Sequence, residues 1–185
     1  MLKQANITIA QIMNHKEASD LISKIKEQVN FEQRDIVIMG KRVKVPRLEA
    51  WFGQSYTYSG NAFAAKPMPA FLAELKADIE ERTGQKYNSV LINLYRDGAD
   101  SVSWHSDNEK ELGADPVIAS VSLGAERKFK MKHRTDKDDK ADIIMKSGSL
   151  LVMGKGSQLN YLHCVPKTKK VHTERINLTF RNMSL

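Results

Sequence analysis

The sequence predicts a mostly β protein with helices packed on the outside of a barrel or sandwich. Two stretches, 16–29 and 69–83, place apolar residues at helical spacing. Most of the chain after residue 85 consists of short alternating or apolar runs separated by turn residues. Helices followed by many short strands are typical of a β core that carries its helices on the outer side.

The two helices have clear apolar stripes. Pro69 suits the first turn of the second helix, and Gly84 suits its C-terminal stop. The stripes that we expect to be buried are Ala18, Leu21, Ile22, Ile25 and Val29 in the first helix, and Phe71, Leu72, Leu75 and Ile79 in the second.

Five short strands are predicted, at 89–95, 117–123, 127–133, 149–153 and 175–181. Asp97-Gly98 and residues 154–156 are typical turn sequences. The highly charged segment 135–142 (TDKDDKAD) is predicted to be a solvated loop between strands.

The last predicted strand has two different faces. Its side chains alternate, so Ile176, Leu178 and Phe180 point one way, and we expect them to face a core. The opposite face, which fits either a solvated surface or the lining of a polar pocket, carries Arg175, Asn177, Thr179 and Arg181.

The composition is that of a single globular domain spanning residues 1–185. The net charge of +7 is compatible with a polyanionic partner such as nucleic acid, although a lysine-rich protein without such a partner has the same balance. One cysteine, Cys164, excludes an internal disulfide and a four-cysteine zinc site. We find no signal peptide and no membrane span. We therefore expect an intracellular monomer, cytoplasmic in a bacterium and nuclear in a eukaryote.

A metal site is the most specific chemical prediction. His105 and Asp107 lie two residues apart and project to one side of an extended segment. His163, which comes just before the arginine-bearing strand, is the best third ligand. Two histidines and one carboxylate suit ferrous iron, and they also suit catalytic zinc. The arginine strand favours iron, because it adds a seat for an organic acid. Cys164 adjoins a ligand, and we expect it to be a small buried hydrophobe.

The ordered set of motifs resembles the AlkB family of iron(II)- and 2-oxoglutarate-dependent dioxygenases, which demethylate nucleic-acid bases. The resemblance runs from about residue 37 to residue 181. It implies a double-stranded β-helix (jelly roll) with outer helices, whose catalytic core covers 85–185. The motifs are Asn93-Leu-Tyr95-Arg-Asp-Gly, Trp104-His-Ser-Asp107, Ile118-Ala-Ser-Val-Ser-Leu-Gly, His163, and Arg175-Ile-Asn-Leu-Thr-Phe-Arg181.

The resemblance also implies roles for these residues. His105, Asp107 and His163 are expected to bind Fe(II). Arg175 is expected to pair with the distal carboxylate of 2-oxoglutarate, with Arg181 near its other end. The full set implied around 2-oxoglutarate is Asn93, Tyr95, Arg175, Thr179 and Arg181.

Residues 37–66 resemble a nucleotide-recognition lid that follows an N-terminal helical part, 1–36. Met39, with Gly40 and Lys41, is similar to the finger loop of the animal AlkB homologue that repairs duplex DNA. Tyr58, with Tyr56 nearby, resembles the ring that stacks on a flipped base, although core packing explains an aromatic residue equally well. Lys167, Lys169 and Lys170 resemble a basic loop that contacts DNA; a solvated lysine turn is the alternative.

One residue departs from the family pattern. Asn108 follows Asp107 at a position where the subfamily often has an acid, so the choice of lesion is the part of the prediction that this residue affects. We expect oxidative demethylation of N-alkylated bases in DNA, coupled to O2 and to decarboxylation of 2-oxoglutarate, with release of formaldehyde and succinate. Duplex DNA is the expected partner. Single-stranded DNA, RNA, a protein or a small molecule remain alternative substrates.

Overall fold

Two β-sheets pack face to face in this protein, and both helices of the N-terminal half lie against the larger sheet. The structure is a computed structural model that describes residues 2–38, 40–58 and 61–184. Met39 therefore lies outside the described residues, as do the side chains of Tyr56 and Tyr58.

The elements follow one another in two groups. The N-terminal group contains β1 (Ile7–Gln11), α1 (His15–Gln28), β2 (Asp35–Ile38), β3 (Lys41–Lys44), β4 (Leu48–Phe52), β5 (Tyr56–Tyr58), β6 (Asn61–Phe63) and α2 (Ala70–Thr83). The C-terminal group contains β7 (Ser89–Tyr95), β8 (Val102–His105), a 3-10 turn (Lys110–Leu112), β9 (Ile118–Gly124), β10 (Arg127–His133), β11 (Lys140–Met145), β12 (Ser149–Met153), α3 (Ser157–Asn160), β13 (Tyr161–Val165) and β14 (Arg175–Arg181).

The larger sheet, which we call the major sheet, has the strand order β1-β12-β9-β14-β7-β4. The smaller one, the minor sheet, has the order β11-β10-β13-β8. The pairs β2-β3 and β5-β6 form separate antiparallel hairpins. Neighbouring strands in both larger sheets run antiparallel.

Both predicted helices are present and are capped as their sequences suggest. Asn14 forms a capping box with Glu17 at the start of α1. Gly84 ends α2 in the left-handed conformation, with φ 66°. No helix in the described part of the chain is both long and apolar enough to cross a membrane. The stripe residues Ala18, Leu21, Ile25, Leu72, Leu75 and Ile79 are buried in one cluster with Val90, Ile92, Ile176, Leu178 and Phe180 of the major sheet.

The strand predictions are accurate in the apolar segments and incomplete elsewhere. The strands 89–95, 127–133, 149–153 and 175–181 have the predicted bounds, and the remaining one runs from Ile118 to Gly124. The prediction of a loop over 135–142 is wrong at its end, because β11 begins at Lys140 and pairs with β10. The N-terminal part is also not purely helical, because β1 extends the major sheet beside β12.

Candidate metal and co-substrate site

The inner faces of the two sheets enclose a polar cavity. In the major sheet, Asn177 on β14 lies opposite Asn93 on β7, and Asn93 lies opposite Glu49 on β4. One row further along, Thr179 lies opposite Leu91. The cavity is also lined by Tyr95, Val102, His105, Asp107, Phe129, His163, Val165, Arg175 and Arg181.

The three predicted metal ligands meet in this cavity. His105 on β8 lies directly opposite His163 on β13, because these strands pair antiparallel. Asp107 follows two residues after His105, and its Oδ1 lies 3.9 Å from the His105 Nε2. The candidate ligand atoms of the three residues all lie within 4.8 Å of one another. The geometry therefore suits one ion held by two imidazoles and a carboxylate.

Hydrogen bonds orient two of these side chains. The Nδ1 of His105 lies 2.7 Å from the backbone carbonyl of Ser103, which fixes the proton on Nδ1 and leaves the lone pair on Nε2. Asp107 accepts from the Arg181 Nη2 at 3.0 Å. Its backbone N–H donates to the Gln158 Oε1 at 2.9 Å. The ring of His163 instead packs on Phe129, with 5.2 Å between the ring centroids.

The protonation states of the three side chains are those that a metal needs. Burial alone would raise the pKa of Asp107, but Arg181 and the two imidazoles outweigh it and lower this pKa to about 2. Burial and the neighbouring His105 lower the pKa of His163 to about 3. Burial also lowers the pKa of His105. Near neutral pH the cluster consists of one carboxylate and two neutral imidazoles, so no proton has to leave before a cation binds.

Arg175 is the second unusual feature of the cavity. Its side chain is 2% exposed, and its Nη2 donates to Ser122 Oγ and Asn177 Oδ1, both at 2.6 Å. Its Nε and Nη1 have no hydrogen-bond partner within the described residues. Burial lowers its pKa to about 10, so the guanidinium is still charged at neutral pH. A buried cation with two unused donors fits an anionic ligand.

An aromatic neighbour, Tyr95, and a polar neighbour, Asn177, hold the Arg175 side chain in place. Its Cζ lies 5.2 Å from the ring centroid of Tyr95, which is a cation–π contact. Along β14, Asn177 donates from Nδ2 to the Thr179 Oγ1 at 2.9 Å. Asn93, Tyr95, Arg175, Thr179 and Arg181, the residues predicted around 2-oxoglutarate, thus all line the same cavity as the metal triad.

The sequence prediction missed a buried ion pair in this cavity. The Arg47 Nη2 lies 2.6 Å from the Glu49 Oε1, and both side chains are almost fully buried. Arg47 Nε also donates to the Asn93 Oδ1 at 2.9 Å. Because this bond engages the amide oxygen, the Asn93 NH2 group is available to the rest of the cavity. The sequence did contain a signal for this pair. Arg47, Glu49 and Trp51 are spaced two residues apart, so they lie on the same face of the extended segment.

The sequence also missed a structural arginine beneath the loops. Arg127 is buried, and its guanidinium donates to the backbone carbonyls of Asp97, Asp100 and Pro166 at 2.7–2.9 Å. Its Cζ lies 5.6 Å from the Tyr95 ring centroid. Arg127 therefore connects the turn after β7 and the loop after β13 to a cavity residue.

Comparisons with known proteins identify the family and the fold of this chain. The pattern of the 2OG-Fe(II) oxygenase superfamily matches residues 6–181. The chain belongs to this superfamily. The protein in "The structure of OsALKBH1" superimposes with a TM-score of 0.71 at 16% identity, covering 98% of this chain and 100% of that one. That likeness concerns the fold, and the predicted jelly roll is confirmed.

Two groups of curated relatives carry AlkB names. Alpha-ketoglutarate-dependent dioxygenase alkB homolog 3 from Bos taurus is 40% identical over 180 residues, covering 91% of this chain and 62% of its own length. DNA oxidative demethylase ALKBH2 from Homo sapiens is 34% identical over 182 residues, covering 91% of this chain and 70% of its own length. The chain thus spans about 60% of the length of the alkB homolog 3 proteins that it matches. The AlkB resemblance is confirmed.

Several of the residues predicted to contact nucleic acid are exposed. Gly40 has φ 76° in the turn between β2 and β3, and Lys41 begins β3 with an exposed side chain. Asn108 is exposed directly after Asp107. The backbones of Tyr56 and Tyr58 form β5, whose partner is β6. In the loop before β14, the exposed lysines are Lys167, Lys169 and Lys170.

Proposed function

We propose that this protein is an Fe(II)- and 2-oxoglutarate-dependent dioxygenase that oxidatively demethylates N-alkylated bases in DNA. The observation that carries the proposal is the buried, partly unused guanidinium of Arg175, which faces the same cavity as the His105–Asp107–His163 cluster. A metal cluster alone fits hydrolytic zinc equally well. A fixed cation that faces the same cavity adds a binding place for the carboxylate of a co-substrate. The activation of water by zinc does not itself require such a co-substrate.

The donor set fits ferrous iron. His105, Asp107 and His163 supply two nitrogens and one oxygen, the ligand set of iron oxygenases that keep open positions for substrates. When bound, iron with 2-oxoglutarate and O2 supplies the oxidising power that hydroxylates an N-alkyl group, with succinate, carbon dioxide and formaldehyde as products.

The residues of this chain bind, orient and shield the reactants. Arg175 neutralises one carboxylate of 2-oxoglutarate, and Asn93 is oriented by Arg47 to donate from its amide. Arg181 holds the Asp107 carboxylate in its charged form. Phe129, Leu91 and Val102 line the cavity and reduce the access of water to the reacting centre.

The residues predicted to contact nucleic acid support DNA as the substrate. A base inside a duplex must leave the stack to reach a buried centre, at a cost of a few kcal/mol. In this proposal the β2–β3 hairpin, with Met39, Gly40 and Lys41, enters a duplex beside the vacated position, and Tyr56 and Tyr58 supply the stacking surface for the flipped base. Lys167, Lys169 and Lys170 bind phosphates. The ALKBH2 relatives are named DNA oxidative demethylases, which supports the choice of DNA.

The decisive experiment uses a duplex that carries one N-methylated base. We expect the protein with Fe(II), 2-oxoglutarate and ascorbate to remove one methylene equivalent from the damaged strand, as measured by mass spectrometry. His105→Ala should abolish this change, and the exposed-histidine variant His172→Ala should leave it intact. Turnover of 2-oxoglutarate with no change in any methylated oligonucleotide would instead support an oxygenase acting on a protein or small molecule.

RNA is the second candidate substrate, because the same cavity chemistry applies to both polymers. A methylated RNA of the same sequence, assayed beside the single-stranded and duplex DNA, separates the alternatives. Faster demethylation of the RNA than of either DNA would replace the proposed substrate without changing the proposed reaction.

A further inference from the structure

The outer face of the minor sheet has an unusual composition. Along β10 the side chains alternate, so that Phe129 and Met131 are buried in the core and Lys128, Lys130 and Lys132 lie on the opposite face. On β8, His105 faces the cavity and the preceding Trp104 points away from it. We call this surface, formed by Trp104, Lys128, Lys130, Lys132 and Lys140, the lysine–tryptophan face.

Trp104 presents a large aromatic surface to solvent on this face. Trp104 is 39% exposed, and it lies on β8, the edge strand of the minor sheet. The Nζ of Lys132 lies 4.4 Å from its ring centroid, so one side of the ring is in contact with a cation. A flat ring beside a positive charge is the arrangement on which nucleic-acid bases stack.

The protein neutralises the lysines of this face only in part. Asp142 lies 2.9 Å from the Lys128 Nζ and 3.6 Å from the Lys130 Nζ, so two lysines share one carboxylate. Lys132 lies directly opposite Lys140 in the strand register, and like charges in this position destabilise a sheet. Within the described residues, no carboxylate is within ion-pairing distance of either Lys132 or Lys140. Four lysines and one aspartate leave a positive face, and an anion bound there relieves the repulsion.

The face lies on the outer side of the sheet whose strands β8 and β13 carry His105 and His163. Trp104 immediately precedes His105, which is the most exposed of the three ligand candidates. At the other end, Arg127 donates from Nη2 to the Pro166 carbonyl at 2.9 Å and so holds the start of β10 beside the loop that bears Lys167. The three lysines of β10 follow the strand at intervals of about 6.7 Å, twice the rise per residue. They form a row along the outer side of the strand.

We propose that the lysine–tryptophan face binds an unpaired stretch of the nucleic acid that carries the target base, with Trp104 stacking on a base and the lysines neutralising phosphates. This inference rests on the proposed function for the identity of the polymer. A single strand fits better than a duplex, because only unpaired bases offer a free face for stacking on an exposed ring.

Binding of an undamaged single strand of about 16 nucleotides, the upper end of the site sizes known for single-strand-binding folds, tests the proposal. Fluorescence anisotropy without iron or 2-oxoglutarate measures affinity independently of catalysis. Trp104→Ala should weaken binding at least about fivefold, the lower limit expected for one base–aromatic stack of about 1 kcal/mol. Trp104→Phe should retain most of the affinity, because it keeps a ring.

The charge component is tested with Lys130→Glu/Lys132→Glu and a matched control. The control, Lys24→Glu/Lys155→Glu, changes the net charge equally at exposed lysines outside the face. The slope of log K against log salt is negative, and the first pair should reduce its magnitude by about 1.4, since each phosphate contact on a single strand contributes about 0.7. The control pair should leave the slope close to that of the wild type.

Tryptophan fluorescence gives a third readout, because the other tryptophan, Trp51, is buried. The single strand should quench Trp104, and a duplex of the same sequence should quench it much less. Equal losses of affinity in the control pair, wild-type affinity of Trp104→Ala, or equal quenching by the duplex would each overturn the proposal. A protein that binds as expected and does not demethylate refutes the proposed function alone.

Discussion

The guanidinium of Arg181 lies 3.0 Å from the carboxylate of Asp107, and both side chains are buried. This contact lies between the two predicted halves of the site, because Arg181 is on the arginine strand and Asp107 belongs to the metal cluster. Arg181 stabilises the charged form of Asp107, which is the form that binds a cation. Metal affinity and the arginine strand are therefore coupled.

We expect Arg181→Met to weaken metal binding about 10- to 100-fold, the usual effect of removing a group that orients a metal ligand. The pKa of Asp107 rises when its positive neighbour is lost, so the defect should grow as the pH is lowered. Calorimetric titration with Mn(II) at several pH values measures both effects. The exposed Arg82→Met variant is the control, and equal affinities in the two variants would show that Arg181 does not act on the metal site.

Arg175→Met should have opposite effects on the free and the bound protein. It removes a buried charge with unused donors, so the unfolding temperature of the free protein should stay the same or rise. Binding of 2-oxoglutarate should weaken about 10- to 100-fold, because a charge-assisted hydrogen bond contributes about 1.5–3 kcal/mol. Thermal unfolding with and without 2-oxoglutarate reads both quantities. Arg175→Lys should restore the affinity only in part, since an ammonium lacks the planar fork. A large loss of stability in the free protein would argue for a purely structural arginine.

The Arg47–Glu49 pair predicts a strong coupling between two substitutions. Glu49→Met leaves a buried arginine without its partner and should cost about 3–5 kcal/mol of unfolding free energy. The double variant Arg47→Met/Glu49→Met should cost less than the sum of the single variants, because it leaves no unpaired charge. Urea denaturation of all four proteins gives the coupling energy. Additive costs would mean that the two charges do not interact.

Acid should destabilise the metal-free protein through His163. Its pKa is lowered to about 3 in the folded state and is near 6.5 when exposed, so the unfolded state binds more protons between these values. The contribution of the neutral His163 imidazole to the free energy of unfolding is fully present above about pH 6.5 and is lost as the pH falls towards 3. His163→Gln should therefore have a flatter dependence of stability on pH in this window, measured by urea denaturation. His172→Gln, at an exposed position, should follow the wild type, and a wild-type slope in His163→Gln would contradict the prediction.

Much of the site could be predicted because its residues stand on regular strands. In β14 the alternation of Ile176 and Leu178 with Asn177 and Thr179 is strict, so one face had to be polar wherever the other was buried. The neighbouring strand β7 is buried over its whole length, and its bounds were predicted correctly.

The remaining parts depend on contacts that the local residue pattern does not specify. β11 begins within a charged stretch, and only its pairing with β10 makes Lys140 part of a strand. Arg47 and Glu49 would be surface residues by type, and they are buried because each neutralises the other inside the cavity. β8 and β13 are short, and their polar residues are explained by the triad rather than by strand propensity.

The pairing of His105 with His163 has a mechanical consequence. β8 is the outermost strand of its sheet and is attached through β13 alone. An ion held by one imidazole from each strand would act as a cross-link between the edge strand and its only neighbour in the sheet. Loss of the ion would therefore loosen β8 before the rest of the sheet. The event that removes the activity would also expose the backbone amides of β8 to hydrogen exchange with solvent.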